Sequence, residues 1–212
     1  MQHSLTGHTL VIATGHALSL ALLADGKVLA ESSMAIDRGH AEALIPALAL
    51  LLEPFGGPGF RCDHIVVEVG PGSFTGLRIG IAAAKGLALV WNSSVQGVRS
   101  TQLVAAQARA EGVVAPLLVA LAAPRGQIWV EQFAAGGLSS LGSPQALGEV
   151  QVAALVQPLD VVVGSAASRL GAPGSADGPR AAALLGVAEA DLMQAEPLYV
   201  RAGEMDASTR SS

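Results

Sequence analysis

The chain is poor in cysteine, lysine and aromatic residues, and each scarcity excludes something. Cys62 is the one cysteine among 212 residues, so neither an intrachain disulfide framework nor a cysteine-based metal site can form. A reducing, cytoplasmic setting fits that composition. Lys27 and Lys85 are the two lysines, and the net charge is −5. Nucleic-acid affinity rests largely on phosphate neutralisation, so this chain is a poor binder of RNA on its own. If it serves RNA chemistry, a partner must carry most of the contact. Aromatics make up 3% of the chain, which leaves Ala, Val, Leu and Ile to build the core. No basic start followed by an apolar stretch opens residues 1–8, so no signal peptide is expected. Gly, Pro or polar residues break the apolar runs before they reach about 18 residues, so no membrane span is expected.

What is abundant is apolar. Hydrophobic residues form 51% of the chain and charged ones 14%, a balance that buries a real core and argues against disorder. The length suits one large domain or two small ones. Residues 9–13 read as a buried strand. Residues 17–23 read as a second, followed by Asp25-Gly26, a hairpin turn signal, and a returning strand over 27–34. Residues 40–52 carry apolar side chains at helical spacing. Pro46 stands about one and a half turns in, so this helix either begins near Ala43 or kinks to shape a contact surface. A strand over 64–69, a helix over 74–90, a strand over 95–98 and a helix from Ser100, as its cap, to Ala110 complete a βββαβαβα half. The second half reads as a worn copy: strands over 117–121 and 126–133, an apolar stretch from Leu155 through 161–163, a Gly/Pro-rich loop over 171–179 and a short helix over 180–185. Residues 205–212 read as a polar, fraying tail.

The most informative segment runs from Glu68 to Gly80. A strand end, a Gly70-Pro71-Gly72 turn and the N-cap residue Ser73 open a helix. The spacing fits no P-loop, dinucleotide turn or nucleophile elbow. Gly76, Gly80 and Ala83 recur on one helical face, with Arg78, Ala82 and Lys85 beside them. Small residues permit close approach, either by the chain's own sheet or by another chain. A helix that is small or apolar nearly all round must be covered on both sides. The helices over 40–52 and 74–90 are therefore expected to form a docking surface built from His40, Glu42, Leu44, Ile45, Leu48, Thr75, Gly76, Arg78, Ile79, Gly80, Ala83 and Lys85. Arg78 and Lys85 would lie at its rim. On this reading Gly80→Leu abolishes association and leaves the fold intact.

These residues resemble the bacterial TsaB (YeaZ) family, the non-catalytic relatives of the threonylcarbamoyl transferase TsaD. The matching pieces are His40-Ala41-Glu42 with Leu44-Ile45-Pro46, the run from Gly70 to Gly80, Lys85-Gly86-Leu87-Ala88, Gly97-Val98 with Ser100, and the stretch from Pro197 to Arg201. The resemblance implies an actin-like (ASKHA) α/β fold of two RNase-H-like lobes with mixed sheets and flanking helices, divided at 1–101 and 102–212. It implies a non-catalytic partner in the synthesis of N6-threonylcarbamoyladenosine at position 37 of tRNA. Such a chain pairs with a TsaD-type transferase and a TsaE-type ATPase, homodimerises alone, meets tRNA only through the complex and touches no membrane. It carries no cofactor of its own, ATP and metal being expected in the TsaD-type partner.

Departures from the family pattern sharpen that expectation. Where an Asp usually closes the opening strand the chain has Ala13, and the matching Asp of the second lobe falls at Ala122. Actin-like ATPases use such carboxylates to hold metal and water near phosphates. TsaD places two histidines four residues apart as metal ligands, and here His40 is followed at that spacing by Leu44. An actin-like kinase or ATPase with a degenerate site is the second reading. A metallopeptidase is the third, and none of the five histidines forms a His-x-x-x-His pair.

Overall fold

The computed structural model describes residues 5–36, 39–172 and 178–200. The expected tail at 205–212 and part of the loop expected over 171–179 lie outside them. The first sheet has the order β3-β2-β1-β4-β5. It contains β1 (His8–Ala13), β2 (Leu18–Ala24), β3 (Lys27–Met34), β4 (His64–Gly70) and β5 (Ser94–Arg99). β1 runs antiparallel to β2 and parallel to β4. β2 pairs antiparallel with β3, and β4 pairs parallel with β5. Asp25 and Gly26 both take positive φ, at 50° and 71°, as a twist-matched two-residue hairpin turn requires.

Alternation along the central strands sends two sets of side chains to opposite faces. Leu10, Ile12, Ile65 and Val67 pack with α1 (His40–Leu52) and α2 (Phe74–Trp91) through Leu44, Leu48, Leu51, Ile81 and Ala84. Val11, Ala13, Val66 and Val98 face the other way, onto Leu103 and Ala106 of α3 (Ser100–Ala110). Because β1 and β4 are covered on both faces, they read as continuous apolar runs.

The second sheet has the order β8-β7-β6-β9, from β6 (Leu117–Ala122), β7 (Ile128–Phe133), β8 (Gln145–Leu147) and β9 (Val161–Val163). β6 pairs antiparallel with β7 and parallel with β9, which repeats the first sheet without its fifth strand. One face packs against Val104, Ala105 and Ala108 of α3. The other packs against Val152 of α4 (Glu149–Leu155) and against Ala166 and Ala167. These two lobes of mixed sheet and flanking helix form the actin-like α/β fold expected from the sequence.

Several particulars differ from the sequence reading. The helix covered on both sides within the chain is α3, which both sheets enclose. Arg109 near its end donates to the carbonyls of Val113, Ala115, Ala134 and Gly137 at 2.6–3.0 Å, and burial lowers its pKa. Ser100 does not cap α3; Arg99 is the N-cap residue. α1 begins at His40 and carries Pro46 within it. β8 was not foreseen, the helix expected before the last strand is α4 at Glu149–Leu155, and β9 is only three residues long. The division at residue 101 also needs amending. The 3₁₀ turn Ala181–Gly186 packs Ala181 and Leu184 onto the first sheet, so the chain returns to the first lobe at its end. α2 is long and apolar enough, by length and composition, to cross a membrane. Its inner side buries Leu77, Ile81, Ala84 and Ala88 against the first sheet.

Candidate functional site

Beyond Ala13 the chain turns under α2 at Thr14 and Gly15. The fully buried Glu68 carboxylate holds that turn. One oxygen accepts from the Thr14 and Gly15 amides at 2.8 and 2.6 Å, and the other from the Ser100 hydroxyl at 2.6 Å. The Ser73 amide donates to the Gly15 carbonyl at 2.7 Å. The Ser73 hydroxyl caps α2 by accepting from the Gly76 amide, as expected. The Thr14 hydroxyl donates to the Gly76 carbonyl at 2.9 Å. Charge-assisted bonds to a buried carboxylate are among the strong ones, so the first turn of α2 is seated firmly on the end of β1.

This seat explains the glycines and corrects the docking surface. A Cβ on Gly76 would run into the Thr14 carbonyl, and one on Gly80 into the Thr14 side chain. Both glycines are buried inside the chain and admit no partner. His40, Leu44 and Leu48 are likewise buried in α1. Ile79 and Ala83 are half-buried and pack against the first-lobe core.

The other members of the expected surface reach solvent: Glu42 and Ile45 on α1, and Thr75, Arg78 and Lys85 on α2. α1 and α2 pack side by side, and their outer faces expose large apolar groups. Ile45 is 56% exposed, Leu50 69%, Leu89 86% and Val90 68%. Leu50, Leu89 and Val90 were missed, although Arg78, Ala82, Lys85 and Leu89 share one helical face at spacings of four and three. Leu50 and Glu42 line a groove between α1 and β3, while Leu89 shares its face of α2 with Arg78 and Lys85, so α1 and α2 each expose apolar groups beside charged ones.

The groove between the lobes is chemically different. His16, Ser19, Ser33, Ser165 and Arg180 line a cleft of about 400 Å³. Ala13 and Ala122 close the corresponding strands β1 and β6. A magnesium nucleotide needs carboxylate or phosphate oxygens around the ion, and the described lining offers no carboxylate. Glu68, beneath the neighbouring turn, is already engaged by two amides and a hydroxyl. Among the described residues no three His, Cys, Asp or Glu side chains cluster as metal ligands would. These residues do not fit a metal–ATP complex.

Comparison with known proteins places this geometry. The family model for TsaD, tRNA N6-adenosine threonylcarbamoyltransferase, matches residues 27–145. The chain is 33% identical over 117 residues to the tRNA threonylcarbamoyladenosine biosynthesis protein TsaB of Bacillus subtilis (strain 168), covering 55% of this chain and 50% of that protein. It is 34% identical over 116 residues to TsaB of Escherichia coli (strain K12), covering 54% and 50%. The chain thus spans about half the length of the curated relatives it matches. A Pseudomonas aeruginosa protein described as similar to peptidase YeaZ superposes with a TM-score of 0.77 at 26% identity, over 93% of this chain and 100% of that one. YeaZ from Pseudomonas aeruginosa gives 0.76 at 26% identity, over 92% and 100%.

Proposed function

The chain belongs to the family of the tRNA N6-adenosine threonylcarbamoyltransferase TsaD, and from that premise we propose that it is a non-catalytic subunit supporting a TsaD-type transferase in tRNA threonylcarbamoyladenosine synthesis. The carrying observation is that α1 and α2, within the family-matched segment, expose the large apolar side chains Ile45, Leu50, Leu89 and Val90. Fully burying an exposed side chain of this size gains roughly 1.5–3 kcal/mol, and covering these partly exposed groups with a partner would gain a share of that. In the absence of the transferase a second copy of the chain occupies the same face. Ala13 and Ala122, together with the lack of a carboxylate among the described residues that line the interlobe cleft, support a role without chemistry of its own. The net charge of −5 and the two lysines support contact with tRNA only through the assembled complex. A TsaE-type ATPase completes that complex, in the cytoplasm.

Reconstitution tests this reading. A TsaD-type transferase, the ATPase, tRNA and the small substrates are combined with and without the chain, and modified adenosine is counted. Product is expected to depend on the chain, while the chain alone makes none. Sub-micromolar Mg–ATP binding by the isolated chain in calorimetry would contradict the non-catalytic reading and favour a kinase or ATPase. Modification at full rate without the chain would contradict the partner role.

A further inference from the structure

We propose that Tyr199 is a positioning residue for the docking face, fixing Arg78 against Phe74 at the end of α2 that a transferase-type partner meets. The inference rests on the docking role proposed above and extends that face onto a segment 121 residues away in sequence.

The backbone delivers Tyr199 to this place. After the 3₁₀ turn Glu189–Asp191, the chain runs along the outer edge of β5. Met193 and Gly97 exchange two backbone bonds, at 2.6 and 2.9 Å. The chain passes so close that a Cβ on Gly97 would meet the Gln194 carbonyl at 2.7 Å. The Leu198 amide then donates to the Val69 carbonyl at 2.8 Å. Tyr199 thus arrives at the first turn of α2 on a tethered backbone. Its hydroxyl accepts from Arg78 Nη2 at 2.7 Å and from Nε at 3.1 Å. The guanidinium carbon lies 3.6 Å from the centre of the Phe74 ring. The two aromatic rings are 5.7 Å apart.

This cluster is exposed: Phe74 is 55% accessible and Tyr199 52%. Hydrogen bonds and cation–π contacts in water add little to folding, so stability alone is a weak reason for three such side chains to converge. Recognition is a better one. Tyr and Arg are enriched at the energetic centres of interfaces. Two of the five guanidinium N–H donors go to Tyr199, and among the described residues the others meet no acceptor. A long, flexible side chain held in one geometry loses less entropy when the partner arrives. Phe74 and Arg78 begin the exposed stripe of α2 that runs through Ala82 and Lys85 to Leu89, so the cluster forms the N-terminal end of that helical face.

A double-mutant cycle against the TsaD-type subunit, with melting temperatures measured alongside, tests the proposal. Tyr199→Phe keeps the ring and removes the hydroxyl, and is expected to weaken association about threefold. Arg78→Ala is expected to weaken it about tenfold or more. The double variant should bind no worse than Arg78→Ala, because Tyr199 acts through Arg78. Melting temperatures of the variants should match the parent. Unchanged affinity of Tyr199→Phe, or additive losses in the double variant, would overturn the proposal. A lowered melting temperature with unchanged affinity would overturn it too, assigning Tyr199 to anchoring the C-terminal segment. If the parent chain itself does not pair with the transferase, the docking role fails and this inference falls with it. Normal pairing of the parent with insensitive variants removes the inference alone.

Discussion

Along α2, the small residues and the charged residues face opposite ways. The inner side presents Gly76 and Gly80 to Thr14, over the turn clamped by Glu68. The outer side presents Thr75, Arg78, Ala82, Lys85 and Leu89 to solvent. Both sides look suited to close contact in the one-dimensional pattern, and only the inner one makes it within the chain. The glycines bring α2 onto its own sheet, and this leaves the bulkier outer side exposed to solvent. Close-approach residues in a helix therefore identify a tight contact without saying whose backbone is on the other side.

The largest test of that division is Gly80→Leu. The side chain would enter space filled by Thr14, and overpacking against a fixed turn has no cheap relief. Loss of about 4 kcal/mol or more is expected, enough to unfold a marginal domain. Circular dichroism should show an unfolded or severely destabilised protein. A well-folded variant that merely fails to associate would return Gly80 to the docking side. Glu68→Gln should have a smaller effect. The amide group cannot accept from all three donors, and leaving buried donors unmatched costs about 1–3 kcal/mol. The urea midpoint should fall accordingly, with the slope unchanged if the native state stays compact.

Cys62, buried in the core beneath α1 and α2, supplies the mildest test of the inner side. Burial first, and then the neighbouring Asp63 charge, push its thiol from 9.0 up to about 12. The neutral thiol is thus favoured in the folded state. Its contribution to stability is complete below about pH 9 and is lost as pH rises toward 12. At neutral pH no effect is expected. Between pH 9 and 11, the stability difference between the parent and Cys62→Ala should change by about 1.4 kcal/mol per pH unit. A pH-independent difference would mean the thiol is not sealed in the core.

Much of the architecture was legible because it is written locally. Residues 9–13 and 64–69 are unbroken apolar runs, Asp25-Gly26 is a turn by composition, and Ser73 caps the helix that follows it. The two-lobe repeat could be read from element order and reappears in the two strand orders. The orientation of α2 could not be read, because the deciding residue, Thr14, lies 62 positions from Gly76. The enclosure of α3 was hidden for the same reason, since its two sides answer to different sheets. β8 pairs by only three residues, too few for a periodic signal. Leu89 continued a visible helical stripe and could have been found. Tyr199 belongs to that surface only through the path of the C-terminal segment, which no local pattern reveals.

The outer face of α2 as the docking side is tested most directly by Leu89→Lys. Leu89 is 86% exposed, so the substitution should shift stability by no more than about 0.5 kcal/mol. Association with the TsaD-type subunit is measured by titration on the parent and the variant under identical salt. A loss of about tenfold or more at an unchanged melting temperature is the predicted result; equal affinity for the two proteins would place the partner on some other face and contradict the account.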